Sequence, residues 1–155
     1  MKKGLLFKCI AIPLLVGTIA ALLTGGGMEM FEMIEKPLLS PPGWLFPVVW
    51  TILYTLMGIS SYLILTSGEA QKEIDKAISI YGYQLVVNFL WPTFFFNLEW
   101  YLFSFIWMVL LWILVLIMIL RFYQIDKRAA SLNVPYLAWL TFAGYLNLAI
   151  WILNA

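Results

Sequence analysis

Residues 100–120 read WYLFSFIWMVLLWILVLIMIL and contain no acidic or basic side chain. A hydrocarbon core of roughly 30 Å is crossed by about 20 apolar residues in a helix, so this stretch is long enough to span a bilayer. Further charge-free windows occupy 9–28, 37–68, 77–98 and 129–155. The whole chain is 64% hydrophobic and 11% charged, whereas soluble domains carry about 25% charged residues. The composition therefore predicts an integral membrane protein.

The windows predict an all-α fold rather than a barrel. Their apolar residues run continuously instead of alternating as barrel strands do, and lipid-exposed open strands would leave backbone groups unpaired. Trimming each window at its glycines, prolines and charges predicts five transmembrane helices in one domain over 1–155. Their expected bounds are about 6–26, 44–66, 77–96, 101–122 and 134–153.

The distribution of basic residues predicts the orientation in the membrane. Eight of the nine Lys and Arg residues fall at the N-terminus or in the 67–76 and 121–133 loops, and Lys36 alone falls on the opposite side. Cytoplasmic loops are the positively charged ones. We expect the N-terminus inside and the C-terminus outside a bacterial cell membrane. The first window resembles a secretory signal, but its length favours a retained helix.

Several classes of function are disfavoured by the composition. The chain lacks His, has Cys9 as its single cysteine and carries a net charge of +1, so it offers no typical zinc site and no basic field for nucleic acid. No Asp, Glu, Lys, Arg or His lies deep in a predicted span, which disfavours an ion-driven pump and acid–base catalysis within the bundle. We expect no metal and no cofactor.

The predicted spans instead carry amide and aromatic side chains at helical spacing. Asn88 falls near the middle of its span, and Asn147 lies in the last span. An amide in hydrocarbon must find a hydrogen-bond partner, so both should point inward. They either join helices or orient a ligand in an apolar cavity. The residues that share these faces are Trp50, Tyr54, Gln84, Asn88, Trp91, Trp139, Ala143 and Asn147.

The 25–43 loop is too apolar for a bare connector. It holds Phe31 and ends at Pro41 and Pro42, which fix the angle at which it enters the second helix. It is either a short interfacial segment or a lid over the outer mouth of the bundle, with the two prolines as its hinge. In the first helix, Gly17 and Ala21 form a small-xxx-small pair that faces another helix or lipid.

Three blocks, KPLLSPPGWLFPVVWTILY, QLVVNFLWPTFFF and PYLAWLTFAGYLN, begin at residues 36, 84 and 135. They are similar to the signature blocks of the translocator protein family, also called the tryptophan-rich sensory protein or peripheral benzodiazepine receptor family. The resemblance covers essentially the whole chain and suggests a bacterial member. It implies a five-helix bundle, often dimeric, that binds protoporphyrin IX, haem, and benzodiazepine-type or isoquinoline carboxamide ligands. Carried over position by position, the family pocket comprises Phe46, Trp50, Tyr54, Asn88, Trp91, Trp139, Ala143 and Asn147.

Two departures from the family pattern affect the expected partners. Leu148 and Ile152 stand where a sterol-recognition pattern of animal members would place Tyr and Arg, so tight sterol binding is not expected. Val86 and Leu90 replace the small residues along the third helix that bacterial relatives can use for dimer contact. A homodimer, if formed, would use another surface.

Three functions are consistent with these features. The first is a receptor or sensor that binds porphyrin-like ligands and transports them. The alternative is an enzyme that degrades protoporphyrin in light, with Trp50 and Trp139 as the photochemical residues and the porphyrin as substrate. The third is a structural bundle whose aromatic residues serve packing.

Overall fold

A computed structural model of the chain describes the backbone at 1–25 and 27–155, and the side chains at 1–25 and 29–155. The described residues are all-helical, with no strand among them. The helices are α1 (Lys3–Leu23), α2 (Gly27–Met33), α3 (Leu45–Leu65), α4 (Gln71–Pro92), α5 (Tyr101–Ile125), α6 (Lys127–Leu132) and α7 (Val134–Asn154). A π-helical turn over Thr93–Asn97 continues α4.

Four stretches of the described chain are long and apolar enough to cross a membrane. They are Lys3–Leu23, Leu45–Leu65, Tyr101–Ile125 and Lys127–Asn154. The fifth predicted span corresponds to α4, whose first turns carry Lys72, Glu73, Asp75 and Lys76 and lower its mean hydropathy. The prediction of membrane-spanning helices is confirmed for four, and the span through α4 stays a prediction.

The helix bounds differ from the expected ones mainly at charged or loop segments. Helix α1 runs from residue 3 to 23 rather than 6 to 26, and Thr24 caps its C-terminus. The expected end of this helix, at residue 26, lies outside the described residues. Helix α4 begins at Gln71, six residues before the expected start, because a helix can continue past the apolar window into water. Two short helices, α2 and α6, were not predicted as separate elements.

The bundle is held by close approach of α1 to α3 and by packing of α5 against both α4 and α7. At Gly58 of α3, a β-carbon would collide with the α1 backbone at Cys9 and Ile10. A glycine there lets the two helix backbones approach closely, as small residues do in membrane bundles. The core below the site is apolar and includes Met57, Leu111 and Val115.

Candidate functional site

A cavity of about 420 Å³ lies between α1, α3, α4 and α7, beneath α2. Cavities of about 300–1,000 Å³ are typical of small-molecule sites. The predicted residues that line it are Phe31, Phe46, Trp50, Tyr54, Asn88, Trp91, Trp139, Ala143 and Asn147. Residues separated by up to 116 positions in the chain therefore meet at one surface. Sequence periodicity placed most of them on helix faces, whereas Phe31 was expected in the 25–43 loop and Phe46 came from the family resemblance. Periodicity alone could not show that the faces converge.

The floor of the cavity is a continuous chain of hydrogen bonds across three helices. The Tyr54 hydroxyl donates to Asn88 Oδ1 at 2.7 Å, and Asn88 Nδ2 donates to the Tyr136 hydroxyl at 2.7 Å. That hydroxyl donates in turn to Gln84 Oε1, also at 2.7 Å. All four side chains are buried. Because each donor has an acceptor, the network fixes the Asn88 amide in one orientation.

A second amide, Asn147, joins α7 to α4 and α5. Its Oδ1 accepts a hydrogen bond from Trp91 Nε1 at 3.0 Å, and its Nδ2 donates to the Tyr101 carbonyl at 2.9 Å. Asn147 and Asn88 thus both connect helices and both line the cavity. Each amide therefore joins helices and also forms part of the cavity wall, so the two interpretations do not exclude each other.

The indole of Trp139 differs from that of Trp91. Its Nε1 is buried and has no hydrogen-bond partner among the described residues, although the ring lines the cavity. A buried donor without an acceptor costs roughly 1–3 kcal/mol, so most buried donors in proteins are paired.

The upper wall is made of aromatic rings in contact. Phe31 packs edge-on against Phe46 with ring centroids 5.2 Å apart, and Phe46 packs against Trp139 at 5.9 Å. Lower down, Trp50 lies 5.4 Å from Tyr54. Rings in such arrangements attract one another and can stack on a flat ligand. Phe31 is 3% exposed, so α2 covers the cavity with a buried aromatic residue.

Hydrogen bonds fasten the 25–43 loop over the bundle. The Lys36 ammonium donates to the carbonyls of Phe31 at 2.9 Å and Glu32 at 3.2 Å, close to the C-terminus of α2. Asn154 Nδ2 donates to the Glu35 carbonyl, and Asn154 Oδ1 accepts from the Glu35 N–H. These contacts attach the loop both to itself and to the end of α7. The structure thus gives the described part of this loop a short helix and a position over the cavity, and its role as a lid stays a prediction.

Three predicted residues do not line the cavity. Gln84 lies below it and orients the floor through Tyr136. Pro41 and Pro42 stand in the connection to α3, away from the cavity surface. Tyr136 was missed because its partner amides lie on another helix, although its spacing of three from Trp139 places it on the same helix face.

Two tryptophans of α5, Trp107 and Trp112, use their indole N–H groups within the bundle. Trp107 Nε1 donates to the Val87 carbonyl at 2.8 Å, and Trp112 Nε1 donates to Thr141 Oγ1 at 2.9 Å. Both indoles therefore join helices within the bundle. Trp100 is 52% exposed, as expected for a residue near the membrane surface.

The cavity wall contains no Asp, Glu, Lys, Arg or Cys among the described residues. Within the same residues, no group of three or more acidic, Cys or His side chains could hold a metal ion. The site can therefore bind a ligand through apolar contact, ring stacking and a few oriented amide, hydroxyl and indole groups. It does not offer a pair of acid and base groups.

The fold defines an integral membrane protein, and its aromatic cavity has the size of a small-molecule site. The TspO/MBR family matches residues 9–152, and the chain belongs to this family of membrane sensors and translocators. It is 37% identical over 147 residues to the tryptophan-rich protein TspO of Chlorobaculum tepidum, with 94% of this chain and 93% of that protein covered. It is 36% identical over 151 residues to TspO of Archaeoglobus fulgidus, with 97% of each covered. It is 34% identical over 142 residues to the translocator protein of Bos taurus, with 90% and 84% covered.

Proposed function

We propose that this protein is a membrane receptor that binds a flat aromatic ligand, a tetrapyrrole such as protoporphyrin IX or haem, in the cavity below α2. The observation that carries the proposal is the uncharged aromatic wall of the cavity, to which Phe46, Trp50 and Trp139 contribute. A wall of this kind suits a ligand that has a broad π-face. Benzodiazepine-type and isoquinoline carboxamide compounds have the same character and would occupy the same cavity.

The floor supports this proposal by its rigidity. Asn88 and Tyr136 have their hydrogen-bonding groups engaged with each other and with Tyr54 and Gln84. A ligand therefore meets a preformed surface and does not have to reorder it, which reduces the free-energy cost of binding. The ligand enters when α2 and the rest of the 25–43 loop move away from the cavity.

The proposal includes the number of membrane spans and the side of the membrane on which each terminus lies. Five spans, including α4, place the N-terminus inside and the C-terminus outside the cell membrane of a bacterium. The loop that covers the cavity then lies on the outer side. Binding from that side and release elsewhere would make the receptor a transporter. A homodimer is compatible with the large exposed apolar area on the outside of the bundle.

The proposal is tested by titrating protoporphyrin IX into the purified full-length protein in detergent. Saturable binding should raise the melting temperature, because a ligand that binds only the native state stabilises it. An isoquinoline carboxamide should displace the porphyrin competitively. Non-saturable partitioning that is equal in empty micelles, with no change in melting temperature, would contradict the proposal.

A second candidate function is light-dependent breakdown of bound protoporphyrin. The placement of Trp50 and Trp139 together in the cavity wall favours it, because a bound tetrapyrrole absorbs light and an adjacent indole can give up an electron, with dioxygen as the final oxidant. Illumination in air should bleach bound porphyrin faster than free porphyrin. The excess should disappear in Trp50→Phe/Trp139→Phe protein and under nitrogen. Equal bleaching in empty micelles would exclude the reaction.

A further inference from the structure

A basic groove lies between the start of α4 and the end of α5, at the opposite end of the bundle from α2. It has a volume of about 680 Å³ and opens to the surroundings. Lys72, Lys76 and Arg121 line it together with one carboxylate, that of Asp75. The groove is separate from the aromatic cavity and shares no lining residue with it.

The charge pattern of α4 and α5 predicts that the membrane boundary passes through this groove. On α5, Arg121 is the first charged residue after the uncharged stretch from residue 100 to 120. On α4, Lys76 is the last charged residue before the uncharged stretch from 77 to 98. Each stretch has about the length needed to cross the hydrocarbon core. Lys76 and Arg121 therefore lie at the same interface, the level at which lipid phosphates are found.

The positive charges of the groove are only partly compensated. The Asp75 carboxylate accepts a hydrogen bond from Gln71 at 2.8 Å, and Lys76 lies 3.7 Å from Glu73 in a half-exposed pair. Exposed pairs of this kind contribute little. Among the described residues, the Arg121 guanidinium has no hydrogen-bond or ion-pair partner, although its side chain is only partly exposed. Arg is suited to phosphate because its planar donors bind two oxygens at once.

We infer that this groove binds the headgroup of an anionic phospholipid, with Arg121 and Lys76 on the phosphate and Lys72 at its outer edge. The acyl chains would lie along the apolar outer surface of α4 and α5, where Ile80 continues the groove toward the hydrocarbon. Basic pockets between helices on the cytoplasmic side are a general means of binding anionic lipid. The lipid would fix the relative position of these two helix ends.

The test titrates dioleoylphosphatidylglycerol into delipidated full-length protein in a neutral detergent and counts bound lipid by native mass spectrometry. A basic side chain near an anionic surface contributes about fivefold to binding, so Lys76→Gln/Arg121→Gln should weaken binding roughly 30-fold. The matched control, Lys3→Gln/Lys8→Gln, removes two positive charges at the same end of the bundle but outside the groove. It should change the affinity less than about threefold.

Two further measurements identify the ligand, and a third variant controls for misfolding. Dioleoylphosphatidylcholine should bind more weakly than the glycerol lipid, and free glycerol phosphate should fail to compete at equal concentration. Asp75→Asn removes the one carboxylate of the groove and should tighten lipid binding. Equal weakening by both double variants, equal binding of the zwitterionic lipid, competition by free glycerol phosphate, or no gain in Asp75→Asn would each overturn the inference.

Discussion

The Tyr54 hydroxyl donates a 2.7 Å hydrogen bond to Asn88 Oδ1, and this bond joins α3 to α4 at the floor of the aromatic cavity. Both side chains are buried and both line the cavity. The bond therefore contributes to the stability of the bundle and also determines which atoms of Asn88 face a ligand. Structure and ligand recognition depend here on the same pair of residues.

Replacing Asn88 by Leu should lower the melting temperature. The substitution leaves the Tyr54 hydroxyl without its acceptor and the Tyr136 hydroxyl without its donor. An unsatisfied buried group costs roughly 1–3 kcal/mol, whereas interhelical hydrogen bonds in membranes average about 0.6 kcal/mol, so we expect a loss of about 1–2 kcal/mol. Thermal unfolding in detergent measures it.

The control for Asn88→Leu is Tyr83→Phe on the same helix. Tyr83 is 65% exposed and its hydroxyl makes no hydrogen bond with a described side chain, so its loss should leave the melting temperature within about one degree. A stability of Asn88→Leu equal to that of wild type would show that the network is not a structural element.

A methyl group at Gly17 should weaken ligand binding. A β-carbon at this position of α1 would overlap the ring of Tyr54, which must then tilt into the cavity or push α1 away. Gly17→Ala should therefore reduce affinity for protoporphyrin by about tenfold, a change of 1.4 kcal/mol. Gly17 of the small-xxx-small pair therefore faces another helix of the bundle, at Tyr54.

Gly82→Ala on α4 provides the matched glycine control. No atom lies within 4 Å of a β-carbon built at Gly82, and Ala favours a helix over Gly by up to about 1 kcal/mol. This variant should bind ligand normally and melt at the same or a higher temperature. Normal affinity in Gly17→Ala would mean that the Tyr54 ring does not shape the site.

Replacing Lys36 by Met should let α2 and the rest of the 25–43 loop move away from the cavity more often. The ammonium of Lys36 bonds the last carbonyls of α2, and a cation at a helix C-terminus contributes roughly 0.3–1 kcal/mol. Ligand dissociation should therefore accelerate about two- to fivefold, with little change in the melting temperature of the unliganded protein. Stopped-flow displacement measures this rate.

Lys3→Met serves as the control for Lys36→Met, because Lys3 is exposed at the start of α1. It removes the same charge without touching α2. Unchanged dissociation in Lys36→Met would show that the 25–43 loop does not limit ligand release.

The Asp126 carboxylate should give the stability a small dependence on acidic pH. Hydrogen bonds from the Arg128 side chain lower the pKa of Asp126, which also caps α6 by accepting from the Arg128 N–H at 2.8 Å. Because its pKa in the folded protein lies below the unfolded value of 3.8, the contribution is present above about pH 5 and is lost as pH falls through the folded value.

Melting temperatures at pH 6 and pH 3.5 check this prediction. Wild type should lose more stability between the two values than Asp126→Asn does, by a small margin because the Arg128 side chain is 76% exposed. Equal losses in the two proteins would mean that the pair contributes nothing.

The sequence predicted the cavity-lining residues well where hydrocarbon forces a side chain inward. Asn88 and Asn147 had to find partners, and the rings at helical spacing from them point the same way. The sequence was less informative about side chains whose position depends on a hydrogen-bond partner from another helix. Spacing alone could not show that Gln84 bonds Tyr136 below the cavity, or that Trp107 donates to a carbonyl of α4.

The helix bounds predicted from charged and turn residues were inaccurate for a related reason. The start of α4 is charged because it emerges into water, although its backbone is already helical at Gln71. Helix α2 is only seven residues long and gains its position from Phe31 and Lys36. Such contacts arise only after the bundle has formed.

Protoporphyrin affinity of Trp139→Phe, compared with that of Trp100→Phe, tests the central claim most directly. Both substitutions replace an indole by a phenyl ring, but Trp139 lines the cavity and Trp100 lies outside it. The bound fraction is followed by the absorbance of the porphyrin, so the other tryptophans do not interfere. We predict at least about tenfold weaker binding for Trp139→Phe. The melting temperature should fall only slightly, because the N–H has no partner to lose and the phenyl ring keeps part of the packing on Phe46. Trp100→Phe should bind as wild type does, and equal affinities for all three proteins would contradict the assignment of the cavity as the ligand site.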